Sequence, residues 1–332
     1  MEVSIIMPVC NSQKYIFRAV KSAVNQDFDS FELIIVDYGS VDDSRLICAQ
    51  FEKKYNNVKI IDCTERNIYS ALNKGIKEAA GVFVIFALCE GFYYNDYIKS
   101  LYLKQEETRA DIIVFGAKII DTVRKKELIF SPEEHCGNTA GFFEYYKNIY
   151  SDNYKNINMI CGKLFKKEIL EKNYIKFPEY DSNGHEEFIY NYLAVCKSVS
   201  QSRACIYDLY VYPPESIDTD ITPFYELAEY RLKLFEKEGI ELNSELEYSF
   251  RVYSAVEAVL YDICSDKGLS LREKKRLIRK VFENSSVESG IKKYAPFNRE
   301  EKWIKFFMDN RLFLFTYIFI LMYLKKNFIY NF

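Results

Sequence analysis

Four carboxylates stand at places in the sequence where side chains of this type can do chemistry. Asp37 and Glu90 each follow a short apolar run, LIIV and VFVIFALC, that is typical of a buried strand. Glu186 and Glu187 form an acidic pair at the start of a helical pattern. Ionised carboxylates coordinate hard cations and accept protons from hydroxyl groups. These residues are therefore the first candidates for an active site.

The elements that must position these carboxylates alternate between strands and helices. Apolar runs rich in Val, Ile and Phe predict strands at residues 3–8, 31–37, 58–63, 82–87 and 111–116. Apolar residues at helical spacing predict helices at 14–25, 42–54, 69–80 and 95–105. This alternation indicates an α/β fold with a mostly parallel sheet. In such a sheet, binding groups collect at the carboxyl ends of the strands, where Asp37 and Glu90 lie.

The pattern changes twice further along the chain. It weakens over residues 119–158, where we expect irregular structure or short strands. It resumes with a strand-turn and helix at 159–172, a helix at 186–196 and a strand at 202–211. Two consecutive prolines then end the α/β pattern, and the remaining predicted elements are helices at 223–238, 244–266, 271–284 and 300–326. We therefore predict one domain at 1–215 and a helical region at 216–332.

Composition narrows the class of protein. The chain has 332 residues, of which 49% are hydrophobic, so a folded core is expected. A net charge of −3 does not favour a nucleic-acid partner. The nine cysteines are odd in number and contain no C-x-x-C pair, which argues against a disulfide framework and a structural zinc site. No basic segment precedes the apolar run at 3–9, so we predict a cytoplasmic protein without a signal peptide.

Six motifs, matching in order and in spacing, connect the chain to a known family. They are VSIIMPVCN at 3–11, IIVDYGSVDDS at 34–44, IYSALNKGIKEAAG at 68–81, the strand before Glu90, CGKLFKKEIL at 161–170 and HEEFIYNYL at 185–193. At these motifs, residues 1–213 resemble the inverting family 2 glycosyltransferases. The resemblance implies the GT-A fold, a Rossmann-like, mostly parallel α/β sheet that binds a nucleotide sugar, here with a helical C-terminal extension.

The resemblance also implies a chemistry. Such enzymes move a sugar from a nucleotide-sugar donor to an acceptor hydroxyl by a single displacement that inverts the anomeric centre. A carboxylate general base takes the acceptor's proton. Mg²⁺ or Mn²⁺, held by a D-x-D carboxylate pair, neutralises the charge on the diphosphate leaving group. The expected acceptor is a glycan of a surface polysaccharide or a lipid-linked sugar.

Roles follow for particular positions of this sequence, as the resemblance implies them. Glu90 takes the last place of the D-x-D segment, as the metal ligand, and Glu187 takes the place of the general base. The acceptor side is assigned Lys163 and Glu186. The donor side is assigned a larger set, namely Pro8, Asn11, Asp37, Tyr38, Asn73, Lys74 and Leu88.

Three departures from the family's pattern keep three interpretations open. Tyr38 stands where the family has a second acidic residue, Ser70 where related sequences carry Asp, and Leu88 in the first acidic place of D-x-D. If Glu90 suffices, the chain is an active transferase. The alternatives are a catalytically impaired binding or scaffold protein, and a metal-independent transferase in which Lys74 or another basic group replaces the cation.

The last predicted helix raises the question of a membrane. Residues 312–324 are apolar apart from one threonine and tyrosine hydroxyls, and Arg311, Lys325 and Lys326 flank them. Thirteen helical residues extend about 20 Å, less than the ~30 Å hydrocarbon core, so we expect no crossing. Residues 311–326 then either lie in the interface at the inner face of the cell membrane, or pack against the catalytic domain or a second copy in a homodimer.

Overall fold

In the computed structural model of the chain, the described residues are 1–122, 125–139, 159–178, 184–212, 217–248, 251–252, 254–266, 268–285, 287–289 and 299–323. The chain folds as two compact units, Met1–Tyr212 and Pro213–Phe332. The first unit is built on one sheet with helices, and the second is helical. All nine cysteines are free thiols. The candidate site residues all belong to the first unit.

The first unit is organised by a sheet whose described strands number ten, with a main order of β3-β2-β1-β4-β9-β6-β10-β5. Its leading half is parallel and consists of β1 (Val3–Val9), β2 (Phe31–Asp37), β3 (Val58–Asp62) and β4 (Phe83–Phe86). β1 and β2 are buried along their whole length, as expected for uninterrupted apolar runs in a parallel sheet. The connecting helices are α1 (Ile16–Val24), α2 (Ser44–Lys54) and α3 (Ile68–Glu78).

The other half of the sheet mixes parallel and antiparallel pairs. β6 (Ile112–Asp121) is parallel to β10 (Ser198–Val211), and β9 (Lys163–Lys166) is antiparallel to both β4 and β6. Three short antiparallel strands are β5 (Gly91–Tyr93), β7 (Lys126–Phe130) and β8 (His135–Asn138). The helices of this half are α4 (Tyr97–Thr108), α5 (Lys167–Lys172) and α6 (Gly184–Leu193).

Strand boundaries in this half differ from the sequence-based prediction. β6 continues past Gly116 to Asp121, β10 begins at Ser198, and β5 had no counterpart among the predicted strands. A Cβ at Gly116 would lie 2.6 Å from the Phe130 carbonyl oxygen, so the glycine permits close approach of β7. Pairing with neighbouring strands extends β6 and β10 beyond the stretches that their own residues predict. Residues 140–158 of the weak-pattern stretch lie outside the described residues.

Aromatic side chains fill the core beneath the candidate site. Phe86, Phe165, Phe177 and Phe188 are fully buried, and their ring centroids lie 4.0–5.6 Å apart in five pairs. Each such pair contributes about 0.5–1.5 kcal/mol beyond its buried area. The cluster joins β4, which leads to Glu90, to α6, which carries the acidic pair.

The second unit consists, in its described part, of α7 (Thr222–Lys237), α8 (Ser244–Tyr248), α9 (Ser254–Ser265), α10 (Leu271–Phe282), α11 (Arg299–Asp309) and α12 (Phe313–Tyr323). Between α8 and α9, residues 249, 250 and 253 lie outside the described residues. The helix predicted at 300–326 is divided into α11 and α12. Arg311, between the latter two, has a φ of 52°, a left-handed conformation that interrupts a right-handed helix. Within the described residues, no helix combines the length and apolar character needed to cross a membrane.

A buried ion cluster joins α7 to α8. Glu247 is fully buried, and its two carboxylate oxygens lie 2.9 Å from Nε of Arg231 and 3.4 Å from Nε of Arg251. The Arg231 guanidinium also lies 4.3 Å from the centre of the Phe235 ring. Charges taken out of water in this way are tolerated only while they remain paired.

Replacement of Glu247 by alanine is expected to destabilise the helical unit. Removing one member of a buried ion pair typically costs about 3–5 kcal/mol, because the remaining charges stay buried without their partner. Chemical denaturation followed by circular dichroism measures the loss. Glu236→Ala is the matched control, since Glu236 lies exposed on α7. Equal losses in the two variants would contradict the prediction.

Candidate active site

The carboxyl ends of β1, β2 and β4 lie side by side, and this brings predicted donor residues together. Val9 pairs with Asp37, and the Tyr38 amide donates to the Val9 carbonyl at 3.0 Å. The Cys89 thiol donates to the Pro8 carbonyl at 3.1 Å, and burial raises the pKa of that thiol well above its ordinary value. The loops that follow three strands therefore form one surface at this edge of the sheet.

Asn11 fastens the loop after β1 to the loop after β2. Its φ of 49° lies in the left-handed region, which Asn adopts more readily than most residues. Its side-chain oxygen accepts a hydrogen bond from the Val41 amide at 2.9 Å, and its own amide donates to the Ser40 hydroxyl at 3.3 Å. Asn11 thereby shapes the loop that begins at Asp37.

The Asp37 carboxylate is buried, with an exposed fraction of 6%. Its Oδ1 accepts hydrogen bonds from the amides of Gly39 and Ser40, both at 2.9 Å. Its Oδ2 is buried and has no hydrogen-bond partner among the described residues. A buried carboxylate oxygen in this state is energetically costly, so a ligand N–H placed against it would be stabilising.

The Leu88-Cys89-Glu90 turn is fixed by Tyr93. The Tyr93 hydroxyl accepts from the Leu88 amide at 2.6 Å and donates to the Leu88 carbonyl at 2.9 Å. A Cβ at Gly91 would lie 2.3 Å from the Tyr93 hydroxyl oxygen, so a larger residue there would disturb the turn. Leu88 thus contributes backbone geometry to the site and no oxygen ligand from its side chain.

Glu90 is half-buried beside a cation. Burial raises the pKa of its carboxyl group, and the positive charge of Arg18 opposes that shift. Arg18 Nη2 donates to the Glu90 carbonyl at 3.4 Å and to the Tyr212 hydroxyl at 3.2 Å, while its guanidinium lies 3.7 Å from the centre of the Tyr210 ring. The charge of Arg18 offsets only part of the rise in the Glu90 pKa that burial causes, so a second positive charge next to this carboxylate would be favourable.

Tyr38 replaces the second acidic residue of the family's strand-two pair. Its pKa is raised, first by burial and then by the neighbouring Cys10, Cys89, Glu90 and Asp37. The side chain is therefore a neutral phenol, which can donate or accept one hydrogen bond without adding negative charge to the surface.

The N-termini of α3 and α6 meet at Tyr69. Asn67 caps α3, and its side-chain oxygen accepts from the amides of Tyr69 and Ser70 at 2.7 and 3.2 Å. The Tyr69 hydroxyl accepts from the Gly184 amide at 3.0 Å, and its ring meets the His185 ring edge-on at 5.2 Å. Burial lowers the pKa of His185 to about 4, so its imidazole is neutral near pH 7. These contacts hold the start of α6 against the start of α3.

Glu186 and Glu187 both lie in the first turn of α6 but have different surroundings. Glu186 is buried, with an exposed fraction of 3%, and accepts a hydrogen bond from the Tyr190 hydroxyl at 3.2 Å. Glu187 is half-buried. The helix dipole favours negative charge at both positions. The greater access of Glu187 makes it the better placed of the two to meet an acceptor hydroxyl.

Two predicted donor residues contact protein backbone. The Asn73 side chain donates to the Phe177 carbonyl at 2.9 Å and accepts from the Phe177 amide at 2.8 Å. Lys74 Nζ donates to the Asp62 carbonyl, at the end of β3, at 2.6 Å. Asn73 therefore ties α3 to the segment before α6.

Lys163 lies in the core, whereas the resemblance assigned it to the acceptor side of the site. It was expected to face an acceptor, yet it is fully buried and its ammonium group donates to the Met159 carbonyl. Burial lowers its pKa to about 7, and the neighbouring Cys161 opposes that shift. Lys163 is thus part of the core beneath the site, because β9 is an interior strand between β4 and β6.

Three residues that shape the site were not found from the sequence. Arg18, Tyr69 and Tyr93 reach it through hydrogen bonds to Glu90, Gly184 and Leu88. Tyr69 lies within the 68–81 motif, but neither its residue type nor that of Arg18 or Tyr93 indicated a role at the site. No sequence signal links Arg18 to the end of β10, which lies more than 190 residues away.

The fit of Mg²⁺ or Mn²⁺ to this surface rests on Glu90. The described part of the chain has no group of three or more His, Cys, Asp or Glu side chains that could hold a metal ion. Mg²⁺ is, however, commonly bound by one or two carboxylates together with substrate phosphates. A half-buried carboxylate with a raised pKa fits the one-carboxylate form, since a cation offsets the burial that raises the pKa.

Comparison with known proteins defines the class. The family model described as glycosyl transferase family 2 matches residues 4–173, and the chain belongs to that family. The matched range includes β1 to β4, the Leu88-Cys89-Glu90 turn and β9. The family predicted from the six motifs is thereby confirmed.

Among curated proteins, the putative glycosyltransferase EpsH of Bacillus subtilis (strain 168) is 23% identical over 320 residues, which cover 89% of this chain and 88% of EpsH. The poly(ribitol-phosphate) beta-glucosyltransferase of Bacillus spizizenii is 28% identical over 220 residues. That match covers 63% of this chain and only 32% of the longer relative.

Solved structures support the fold. S. aureus TarS 1–349 in complex with UDP-GlcNAc has a TM-score of 0.59 at 19% identity, covering 99% of this chain and 93% of that one. Mannosyltransferase PcManGT from Pyrobaculum calidifontis, in complex with GDP-Man and Mn²⁺, has a TM-score of 0.51 at 12% identity, covering 96% and 85%. The predicted α/β fold of the GT-A glycosyltransferases, with a mostly parallel central sheet and additional helices, is confirmed.

The buried Lys163 predicts a pH dependence of stability. Its folded-state pKa of about 7 lies below the ordinary 10.5, so the unfolded chain binds the proton more tightly. The resulting penalty is complete below pH 7 and disappears as the pH approaches 10.5, so the contribution of Lys163 to the free energy of unfolding should rise over that interval. In denaturation across this range, the free energy of unfolding of the wild type should therefore rise relative to that of Lys163→Met. Lys172→Met, at an exposed position, should behave like the wild type; identical pH profiles for all three proteins would contradict this.

Proposed function

We propose that the chain is an active transferase that moves a sugar, with inversion, from a nucleotide-sugar donor to a hydroxyl of a glycan or lipid-linked acceptor in surface polysaccharide synthesis. The observation that carries the proposal is the buried Asp37 Oδ2, which has no partner among the described residues and belongs to the same strand-end surface as Glu90. Family membership supports it, as does the similarity to a relative named for glucosyl transfer to poly(ribitol-phosphate).

On the donor side, Asp37 Oδ2 is proposed to accept a ring N–H from the nucleotide base. Uracil and guanine both carry such a donor, and similar structures were solved with UDP-GlcNAc and with GDP-Man. Tyr38, as a neutral phenol, adds a hydrogen bond and no charge that would repel the donor's phosphates. Pro8, Asn11 and Leu88 contribute through the loop backbone that they shape.

At the diphosphate, Glu90 would hold Mg²⁺ or Mn²⁺ together with phosphate oxygens of the donor. Such a cation, when bound, neutralises charge on the leaving diphosphate. Arg18 is proposed to position the Glu90 turn, because it bonds to the Glu90 carbonyl while its ring partner Tyr210 belongs to β10.

On the acceptor side, Glu187 is proposed to take the proton of the attacking hydroxyl. The acceptor oxygen forms its bond to the anomeric carbon on the face opposite the diphosphate, the bond to the diphosphate breaks, and the configuration inverts. Glu186 acts as a positioning residue, since its buried carboxylate binds Tyr190 within α6. Tyr69 keeps the start of this helix in place.

The helical unit is proposed to place the enzyme on the inner face of the cell membrane, where a lipid-linked acceptor would lie. The described part of the predicted 311–326 segment supports this, because Leu314, Phe315 and Ile318 are exposed there. A homodimer through the same segment is the alternative.

Asp37→Asn tests the donor site. The asparagine oxygen can still accept from Gly39 and Ser40, but its NH₂ group faces the base N–H, so nucleotide affinity should fall by about 1.5–3 kcal/mol. Isothermal titration with UDP, GDP and their sugars, with and without Mn²⁺, measures this. Glu78→Gln, exposed at the end of α3, is the control.

The same titrations separate the three interpretations. The proposal requires binding that Mn²⁺ strengthens and that loses its Mn²⁺ dependence in Glu90→Gln. Binding that ignores a chelator favours a metal-independent transferase. A wild-type protein that binds no nucleotide sugar at all would leave only the scaffold role.

Glu187→Gln tests the base. Removal of a positioned general base typically lowers turnover by about 10²- to 10⁴-fold. With the donor found by titration, transfer or donor hydrolysis should fall in this range while donor affinity stays unchanged. Glu186→Gln should lose less, since Glu186 acts through packing. Wild-type turnover in Glu187→Gln would remove Glu187 from the mechanism.

A further inference from the structure

The helical unit has a groove between α10 and α12 that is lined by four cationic side chains. It is lined from α10 by Arg272, Lys275, Arg276 and Arg279, and from the start of α12 and the residue before it by residues 312–315. Its volume is about 490 Å³. The four cationic residues follow helical spacing on one face of α10, and all are exposed. We call this feature the cationic groove.

Nearby acidic groups offset little of this charge. Glu283 lies 3.9 Å from Arg279 in an ion pair with both side chains exposed, a type that contributes little. The Glu273 carboxylate accepts from the amide and hydroxyl of Ser270 in the capping box that begins α10. No carboxylate belongs to the described lining of the groove. The groove is therefore strongly positive.

Contacts between α10 and α12 give the groove a defined shape. The Phe282 and Phe313 rings lie 5.4 Å apart, and the Arg279 guanidinium lies 5.4 Å from the centre of the Phe313 ring. On the far side of α10, Lys274 is buried and donates to the Cys264 carbonyl at 2.8 Å. The cationic side chains thus stand on a helix that is fixed in the unit's core.

Exposed apolar side chains continue from the groove along α12 and α11. On α12 they have exposed fractions of 42–61% and are Leu314, Phe315, Ile318 and Met322. On α11, Trp303 and Phe306 are 46% and 48% exposed, and ring contacts through Phe307 connect Trp303 to Phe315. α12 is thus apolar on its exposed face as well as on the face that buries Ile320, a pattern of helices in contact with lipid.

We propose that the cationic groove binds the phosphate headgroup of an anionic phospholipid while the neighbouring apolar side chains enter the outer acyl region. Arginine guanidinium groups match phosphate oxygens in charge and in geometry. Basic residues beside apolar and aromatic ones are the combination that holds a helix in the interface of an anionic bilayer. The inference rests on the proposed membrane location and specifies the chemistry of the partner.

The charge of the groove favours lipid over a second copy of the chain. A two-fold symmetric dimer through this face would bring the same cationic residues of both copies towards each other. An anionic bilayer instead offers a dense layer of phosphates next to an apolar phase, and so satisfies both parts of the surface.

Vesicle sedimentation with the full chain tests the proposal. The wild type should bind vesicles that contain phosphatidylglycerol far more tightly than vesicles of phosphatidylcholine alone, with an affinity that falls as salt rises. The double variant Arg272→Gln/Arg276→Gln should lose about 10- to 30-fold in affinity for the anionic vesicles. Lys233→Gln/Lys237→Gln, exposed on α7, is the matched control and should keep wild-type affinity.

Other outcomes would overturn the headgroup site in distinguishable ways. Equal binding to both kinds of vesicle would leave a membrane-surface protein without a headgroup site. Equal losses in the two double variants would reduce the effect to net charge. A change of oligomeric state in Arg272→Gln/Arg276→Gln, seen by light scattering, would make a second copy the occupant. Donor titration of the same variant keeps the failure of this inference separate from failure of the transferase proposal, and circular dichroism verifies its fold.

Discussion

The register between β1 and β2 is the constraint on which the candidate site depends. Val9 pairs with Asp37, and the Tyr38 amide continues the pairing to the Val9 carbonyl. Because side chains alternate between the faces of a strand, a slip of one residue would turn Asp37 to the opposite face of the sheet. Both strands are buried along their length, so such a slip would also expose or misplace their apolar residues. The core packing that stabilises the sheet therefore also fixes the position of the site.

Buried carboxylates have different surroundings in the two units. In the helical unit, Glu247 is matched by Arg231 and Arg251, and the cluster stabilises the packing of α7 on α8. In the α/β unit, Asp37 retains a buried oxygen that no described residue satisfies, and Glu90 has a raised pKa beside a single arginine. Protein partners complete the first arrangement. We propose that a ligand completes the second, and on that ground we assign the functional surface to the strand ends.

The two surfaces to which we assign phosphate binding carry side chains of opposite charge. At the strand ends, the groups offered are carboxylates, so we propose that a diphosphate binds there together with a divalent cation. At the cationic groove, arginine and lysine side chains meet phosphate directly, and adjacent apolar residues give the surface its preference for a bilayer. The metal-dependent donor and membrane-bound acceptor that we propose call for this division, since the nucleoside diphosphate must leave after transfer while the enzyme stays at the membrane.

The sequence by itself determined the parallel half of the sheet, the family and the place of Asp37 and Glu90 at strand ends, because buried strands and their motifs are local patterns. It did not determine the mixed half of the sheet, the break at Arg311, the burial of Lys163 or the contacts of Arg18, Tyr69 and Tyr93. Several of these depend on residues far apart in the chain: β9 is inserted between β4 and β6, Arg18 meets Tyr212, and Tyr69 meets Gly184. Pairing between distant strands and burial between distant helices leave no periodic signal in sequence, so only the tertiary structure decided them.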